Sequence, residues 1–278
     1  MSYEQILFDT ADEIGTITLN RPERLNAHTP RMLEEMYQAL DRVEKDDSLR
    51  VTIITGAGRG FCAGADLSAG AKTFDRSQEK RPAEEEKRLT AHPLRFCFGL
   101  TKPVIVAING PAVGIGITMI LPFDIRIAAE SARIGFIFNR RGILPELSSP
   151  WLLPKIIGIS KAAELMYTGR ILNAQEALDY GLVSQVVPDD ELMDKARELA
   201  TEIAVNCAPV SIALTKSMLY GFLTENDLDK VERVNDDYVA WLGQQPDAKE
   251  GVVSFLEKRP PRWSLKVPSD LPEPFPFT

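Results

Sequence analysis

Residues Arg133 to Trp151 read RIGFIFNRRGILPELSSPW and hold a single acid, Glu146, between apolar residues and a run of serines. A carboxylate among Ile143, Leu144, Leu147 and Trp151 is poorly solvated. Its charged form is disfavoured, which suits a group that takes up and returns a proton. The same acid fits the first turn of a helix running through SSPWLLPKIIG, where exposed amide hydrogens favour negative charge and would hold the carboxyl ionised. Residue type and position leave both roles open.

Two glycine loops, FCAGAD (61–66) and NGPAVGIG (109–116), could complete such a site. Each follows a continuous apolar run, VTIITG (51–56) and PVIVAING (103–110), of the kind that forms a buried parallel strand. Loops at the carboxyl ends of parallel strands are where α/β proteins place ligands. Glycines there leave amide hydrogens unobstructed, and one N–H from each loop can meet at a single developing oxyanion. Tight turns and close helix–strand packing would demand the same glycines. Neither loop is GxxxxGK[ST] or a GxGxxG at a strand–helix junction, which argues against a phosphate-loop nucleotidase or a nicotinamide enzyme.

The elements that must position these residues follow from patterning. ILFDT (6–10) and TITLN (16–20) read as a hairpin. Thr29-Pro30 opens a helix whose apolar stripe is Met32, Leu33, Met36, Leu40 and Val43. FDIRIAA (123–129) and LVSQVV (182–187) read as further strands, with helices at 160–167 and 174–180. Beyond Asp190 the chain reads as helices at 191–206, 210–221, 227–242 and 247–258, then a proline-rich end lying on its own surface or on a neighbouring subunit. Strand–loop–helix units followed by helices indicate an α/β core with a C-terminal helical region. The 71–92 segment is strongly charged, with acids at 84–86 expected on a solvated face. Asp124 reads as a buried acid paired with an arginine, and Cys62 as a packed thiol.

The chain has 278 residues and a net charge of −8, which excludes a general nucleic-acid binder. No uncharged apolar run is long enough to span a membrane, and the acidic N-terminus carries no leader. Three cysteines at irregular spacing fit reduced thiols in the cytoplasm. His28 and His92 stand far apart, so no metal site is expected.

GAGRGFCAGADL, TKPVIVAINGPAVGIG, FDIRIAAESARIG, TGRILNAQEALDYGLVSQVV and FLEKRPP, in this order from Tyr3 to Pro260, resemble the crotonase family of acyl-CoA enzymes, also called the enoyl-CoA hydratase/isomerase family. The resemblance implies a spiral of ββα units: a core at 1–200, a helical trimerisation region at 201–262 and a tail at 263–278. It implies a homotrimer or dimer of trimers acting on an acyl-CoA thioester. Coenzyme A would enter as part of the substrate, with no permanently bound cofactor. By motif position, the amides of Ala65 and Ile115 would hold the thioester oxygen. Arg24, Asn26, Ala27, Ala63, Asp66 and Leu67 would face coenzyme A, and Phe255 and Lys258 would approach it from an adjacent subunit.

The two glutamates of the family's hydratases fall at Thr118 and Phe138. Glu146, eight residues beyond Phe138, stands where the isomerase-like branch has its catalytic acid, and isomerisation of a 3-enoyl to a 2-enoyl thioester needs one base. Phe136, Phe138, Trp151 and the 71–92 segment, with His92, would border the acyl pocket. The rivals are a hydratase or hydrolase with atypical residues and a non-catalytic acyl-CoA-binding protein.

Overall fold

The computed structural model describes residues 3–75 and 93–275. The chain begins with a hairpin of β1 (Ile6–Ala11) and β2 (Ile14–Leu19). Its two turn residues, Asp12 and Glu13, have φ of 50° and 64°, matching the twist that a two-residue hairpin requires. Next come β3 (Val51–Gly56), β4 (Val104–Ile108), β5 (Pro111–Val113), β6 (Ile125–Ala129), β7 (Arg133–Gly135), β8 (Ile171–Asn173) and β9 (Gln185–Val187). The main sheet has the order β1-β2-β3-β4-β6-β9 and is parallel from β2 onward. A second sheet has the order β5-β7-β8.

Helices cover both faces of the main sheet, so its central strands are apolar on both sides. α1 (Pro30–Lys45) starts where Met32 N donates to Thr29 Oγ1 at 3.1 Å. It buries Met32, Met36, Leu40 and Val43 as its periodicity predicts. α2 (Pro93–Phe98), α3 (Ile115–Thr118), α4 (Ser149–Ile157), α5 (Ile159–Thr168) and α6 (Ala174–Asp179) follow on the site side. The opposite face, carrying Val51, Ile53, Ile105, Ala107 and Ile127, is covered by α7 (Leu192–Asn206) through Ala196, Ala200 and Ala204. Small residues at every fourth position let the helix lie close to the strands. Residue 200, where the core was expected to end, falls inside this helix.

α8 (Pro209–Gly221), α9 (Leu228–Gly243) and α10 (Pro246–Glu257) form the C-terminal region. The proline-rich segment packs on its own chain. Trp263 Nε1 donates to the Val205 carbonyl at 3.0 Å, the Ser264 amide donates to Asp247 at 2.8 Å, and Val267 is buried against Val210 and Leu214. Among the described residues no single helix is long and apolar enough to cross a membrane.

Asp124 is half-buried, its side chain 17% exposed, and its ionic partner is a lysine rather than the expected arginine. Lys216 Nζ on α8 lies 2.7 Å from Asp124 Oδ2, Tyr220 donates to Oδ1 at 2.8 Å and the Val104 amide donates to Oδ2 at 2.7 Å. The nearby arginine, Arg126, is instead spent on the carbonyls of Leu121, Phe123 and Leu182. Lys216 is only 4% exposed, so removing its counter-charge strands a buried cation. Asp124→Ala is expected to cost about 3–5 kcal/mol in urea unfolding, and Asp124→Asn, whose one carbonyl oxygen can still accept from the Val104 amide and Lys216, measurably less.

Candidate active site

β3 and β4 are adjacent and parallel, so the loops leaving their carboxyl ends emerge side by side. Asn109 stitches them at the base. Its Nδ2 donates to the carbonyls of Gly56 and Gly58 at 2.8 and 2.9 Å, and its Oδ1 accepts from the Gly56 amide at 3.2 Å. Further along, Cys62 N donates to Pro111 O at 2.9 Å and Val113 N to Cys62 O at 3.0 Å, forming a one-rung parallel ladder. Where the second loop becomes α3, Gly116 lies against the first. A Cβ at Gly116 would stand 2.2 Å from the Cys62 carbonyl oxygen. Gly64 and Gly114 also meet, with φ of 104° and 58°.

Ala65 and Ile115 consequently line one pocket of ≈ 350 Å³. Ile115 is the first residue of α3, and neither its amide nor that of Ala65 donates to a backbone acceptor among the described residues. Two amides beside one cavity can bind one oxygen and stabilise charge that develops on it.

Glu146 lines the same pocket and is half-buried. Its carboxylate Oε1 accepts from Thr118 Oγ1 at 2.9 Å. The N-cap position of α4 falls at Ser148, two residues beyond Glu146. The Glu146 carbonyl accepts from the Ser149 amide at 2.9 Å. Leu147 and Ser148 both adopt positive φ, 51° and 57°, a conformation that costs side-chain-bearing residues about 1 kcal/mol each. That left-handed pair reverses the chain directly after Glu146 and turns its side chain towards α3. The chain keeps this backbone with a leucine, although glycine would adopt it with less strain.

Ala63, Leu67 and Phe138 join the lining. Phe136 and Trp151 do not. Phe136 is fully buried in the core, whereas Trp151 packs against Phe98 and under Lys155. The pocket takes Phe74, Ile137 and Arg141 instead. Ile137 lies just beyond β7, at the start of the short turn Phe138–Arg141. His92 and the acids at 84–86 lie outside the described residues.

The other residues expected to face coenzyme A, Arg24, Asn26, Ala27, Asp66, Phe255 and Lys258, lie outside the lining of this pocket. Asn26 is fully buried; its Nδ2 donates to the carbonyls of Ala57 and Gly60 and its Oδ1 accepts from the Arg21 amide. It shapes the loop, and its side-chain polar atoms are already committed. Arg24 is exposed on the turn at Pro22–Arg24. Ala27 accepts from Arg21 Nη1 at 2.6 Å, and Arg21 Nη2 meets Asp66 Oδ2 at 2.8 Å. Arg21 thus ties the 21–27 loop to the first glycine loop, a role that no motif in the sequence marks. Phe255 lies against a separate apolar cavity of ≈ 390 Å³ on α10, and Lys258 caps that helix. Within one chain neither reaches the Glu146 pocket lining.

The cysteine reading holds: Cys62 is buried and burial pushes its thiol up to about 11, so it is protonated and inert near neutrality.

The family model for enoyl-CoA hydratase/isomerase matches residues 9–266. An enoyl-CoA hydratase of Alternaria alternata is 41% identical over 91% of this chain and 83% of its own length. The 1,2-epoxyphenylacetyl-CoA isomerase of Escherichia coli is 38% identical over 95% of this chain and 99% of its own. Among solved structures, a probable enoyl-CoA hydratase/isomerase from Mycobacterium abscessus superposes with a TM-score of 0.84 at 34% identity, covering 93% of this chain and 98% of that one.

Two outcomes follow from the loop geometry. Gly116→Ala must displace backbone, because the Cys62 carbonyl cannot rotate away. It is expected to lower stability by about 1–3 kcal/mol in thermal melts and to weaken thioester-analogue binding by moving the two amides apart. For Asp66, hydrogen bonds from Arg21 and then from Ser68 hold the carboxyl at about 2, below its ordinary 3.8. A carboxyl depressed by folding stabilises fully above its unfolded value and loses that contribution as pH falls through its folded value. Wild type should therefore exceed Asp66→Asn by about 1 kcal/mol near neutral pH. In urea titrations the gap should close as pH falls from about 4 towards about 2.

Proposed function

We propose, for a chain that belongs to the enoyl-CoA hydratase/isomerase family, that the reaction is isomerisation of a 3-enoyl-CoA to the conjugated 2-enoyl thioester, with Glu146 as the single acid/base. The observation that carries this reading is one carboxylate sharing a pocket with two oxygen-binding amides, while the two places that hydratases fill with glutamate hold Thr118 and Phe138.

The thioester oxygen accepts from the amides of Ala65 and Ile115. Glu146 removes a proton from the thioester α carbon, and the electron pair moves into the carbonyl, leaving a dienolate. The two amides stabilise its oxygen, which carries more charge than the starting carbonyl. The protonated Glu146 then returns the proton at the γ carbon, the enolate collapses, and the double bond moves into conjugation. No water is consumed, in keeping with a pocket whose apolar walls are Leu67, Ile115, Ile137 and Phe138.

The same reading assigns the assembly. Phe255, Leu256 and Val252 are exposed on α10, at 80%, 73% and 61%, and would be covered in a homotrimer or dimer of trimers. There Phe255 and Lys258 would approach the coenzyme A of a neighbouring copy.

Hydration is the second reading, favoured by the names of several relatives, including one from Thermus thermophilus. It requires a group that activates water, and Thr118 and Phe138 supply no carboxylate for that.

The test follows a medium-chain 3-enoyl-CoA by the absorbance of the conjugated thioester, with chromatography for a 3-hydroxyacyl product. Conjugated product that falls roughly 100- to 10,000-fold in Glu146→Gln is the expected outcome. Hydroxyacyl product that survives this substitution would overturn the assignment.

A further inference from the structure

We propose that Thr118 is the positioning residue of this site, a buried hydroxyl that holds the Glu146 carboxyl in both of its protonation states and ties it to the helix bearing the Ile115 amide. The inference rests on the reading of Glu146 as the acid/base.

Three observations carry it. Thr118 is fully buried, so its hydroxyl must find its partners within the protein. It lies on α3 three residues after Ile115, one turn along the same rigid element. Two acceptors stand within its reach, Glu146 Oε1 at 2.9 Å and the Gly114 carbonyl at 3.4 Å.

One hydroxyl hydrogen cannot serve both acceptors at once, and this gives the residue its use. While Glu146 is ionised, the hydrogen goes to the carboxylate, the nearer and stronger acceptor. When Glu146 has taken up the substrate proton, the hydroxyl can turn its hydrogen to Gly114 and accept from the carboxylic acid. Neither step leaves the buried oxygen unsatisfied, which would cost more than the hydrogen bond itself contributes. The branched Cβ restricts rotation about χ1, so the oxygen stays in place while only its hydrogen moves. The base therefore keeps its distance from the Ile115 amide through abstraction and return of the proton, the separation on which an effective shuttle depends.

Valine keeps the shape of threonine without its hydroxyl, and serine keeps the hydroxyl without the methyl group. With a medium-chain 3-enoyl-CoA, Thr118→Val should lower kcat roughly 10- to 100-fold, the range for losing a hydrogen bond to a charged group, with KM changed less than about twofold. The acid limb of its pH–kcat profile should move to higher pH, because the ionised carboxyl has lost a donor. Thr118→Ser should recover kcat to within roughly threefold of wild type and restore the limb, its looser χ1 accounting for the remainder. Should the valine variant not fold by circular dichroism, Thr118→Ala takes its place.

A substrate-free measurement separates this inference from the reading beneath it. The Glu146 carboxyl carbon is titrated by carbon-13 NMR, assigned by its loss in Glu146→Gln. A higher midpoint in the valine variant than in wild type supports the hold by Thr118, even if wild type turns out not to isomerise the thioester. Coincident midpoints would overturn it, as would equal losses of kcat in the valine and serine variants.

Discussion

The close approach of Gly116 to the Cys62 carbonyl is the constraint on which the site depends. It is possible only because β3 and β4 are neighbours, because Cys62 and Ala112 pair across the two loops, and because residue 116 has no side chain. Ala65 lies just beyond the contact on one loop, and Ile115 adjoins it on the other. Thr118, one turn further, then reaches Glu146. The two pocket-lining amides are thus set by backbone geometry rather than by flexible side chains.

Much of this was legible in the sequence where it depends on local pattern. VTIITG and PVIVAING declare buried parallel strands by being apolar without alternation, and the Met32–Val43 stripe declares α1. The three-residue strands β5, β7 and β8 carry no such signal, because a period cannot show in so few residues. Long-range pairing was also hidden. Asp124 called for a cation, but charge alone does not distinguish Arg126, two residues away, from Lys216, 92 residues away. Only packing shows that Arg126 is committed to carbonyls. Motif position named Asn26 as facing a ligand; the fold buries it as a brace. Glu146 was visible as an acid in apolar company, whereas its partner at 28 residues' separation was not.

Thr118 and Phe138 illustrate how a shared scaffold separates chemistries. Each occupies a place that the family's hydratases give to a carboxylate, and each is buried. Phe138 adds apolar wall to the pocket, and Thr118 orients the acid that remains. A hydroxyl and a ring in place of two carboxylates lower the negative charge near the amides and leave Glu146 as the one carboxylate in the pocket lining among the described residues. The fold is indifferent to this exchange, since strands, loops and the glycine contact lie elsewhere.

The alanine stripe of α7 has a consequence for biosynthesis. The sheet face it covers, with Val51, Ile53, Ile105, Ala107 and Ile127, comes from strands made long before it. On the ribosome those strands can align as soon as β6 emerges, but one side of the sheet stays wet and apolar until Asn206 has cleared the exit tunnel. During that interval the nascent chain presents a broad sticky surface, the kind of intermediate that chaperones bind. Synthesis of the last turn of α7, rather than completion of the catalytic residues, ends the period in which the unfinished protein is prone to aggregate.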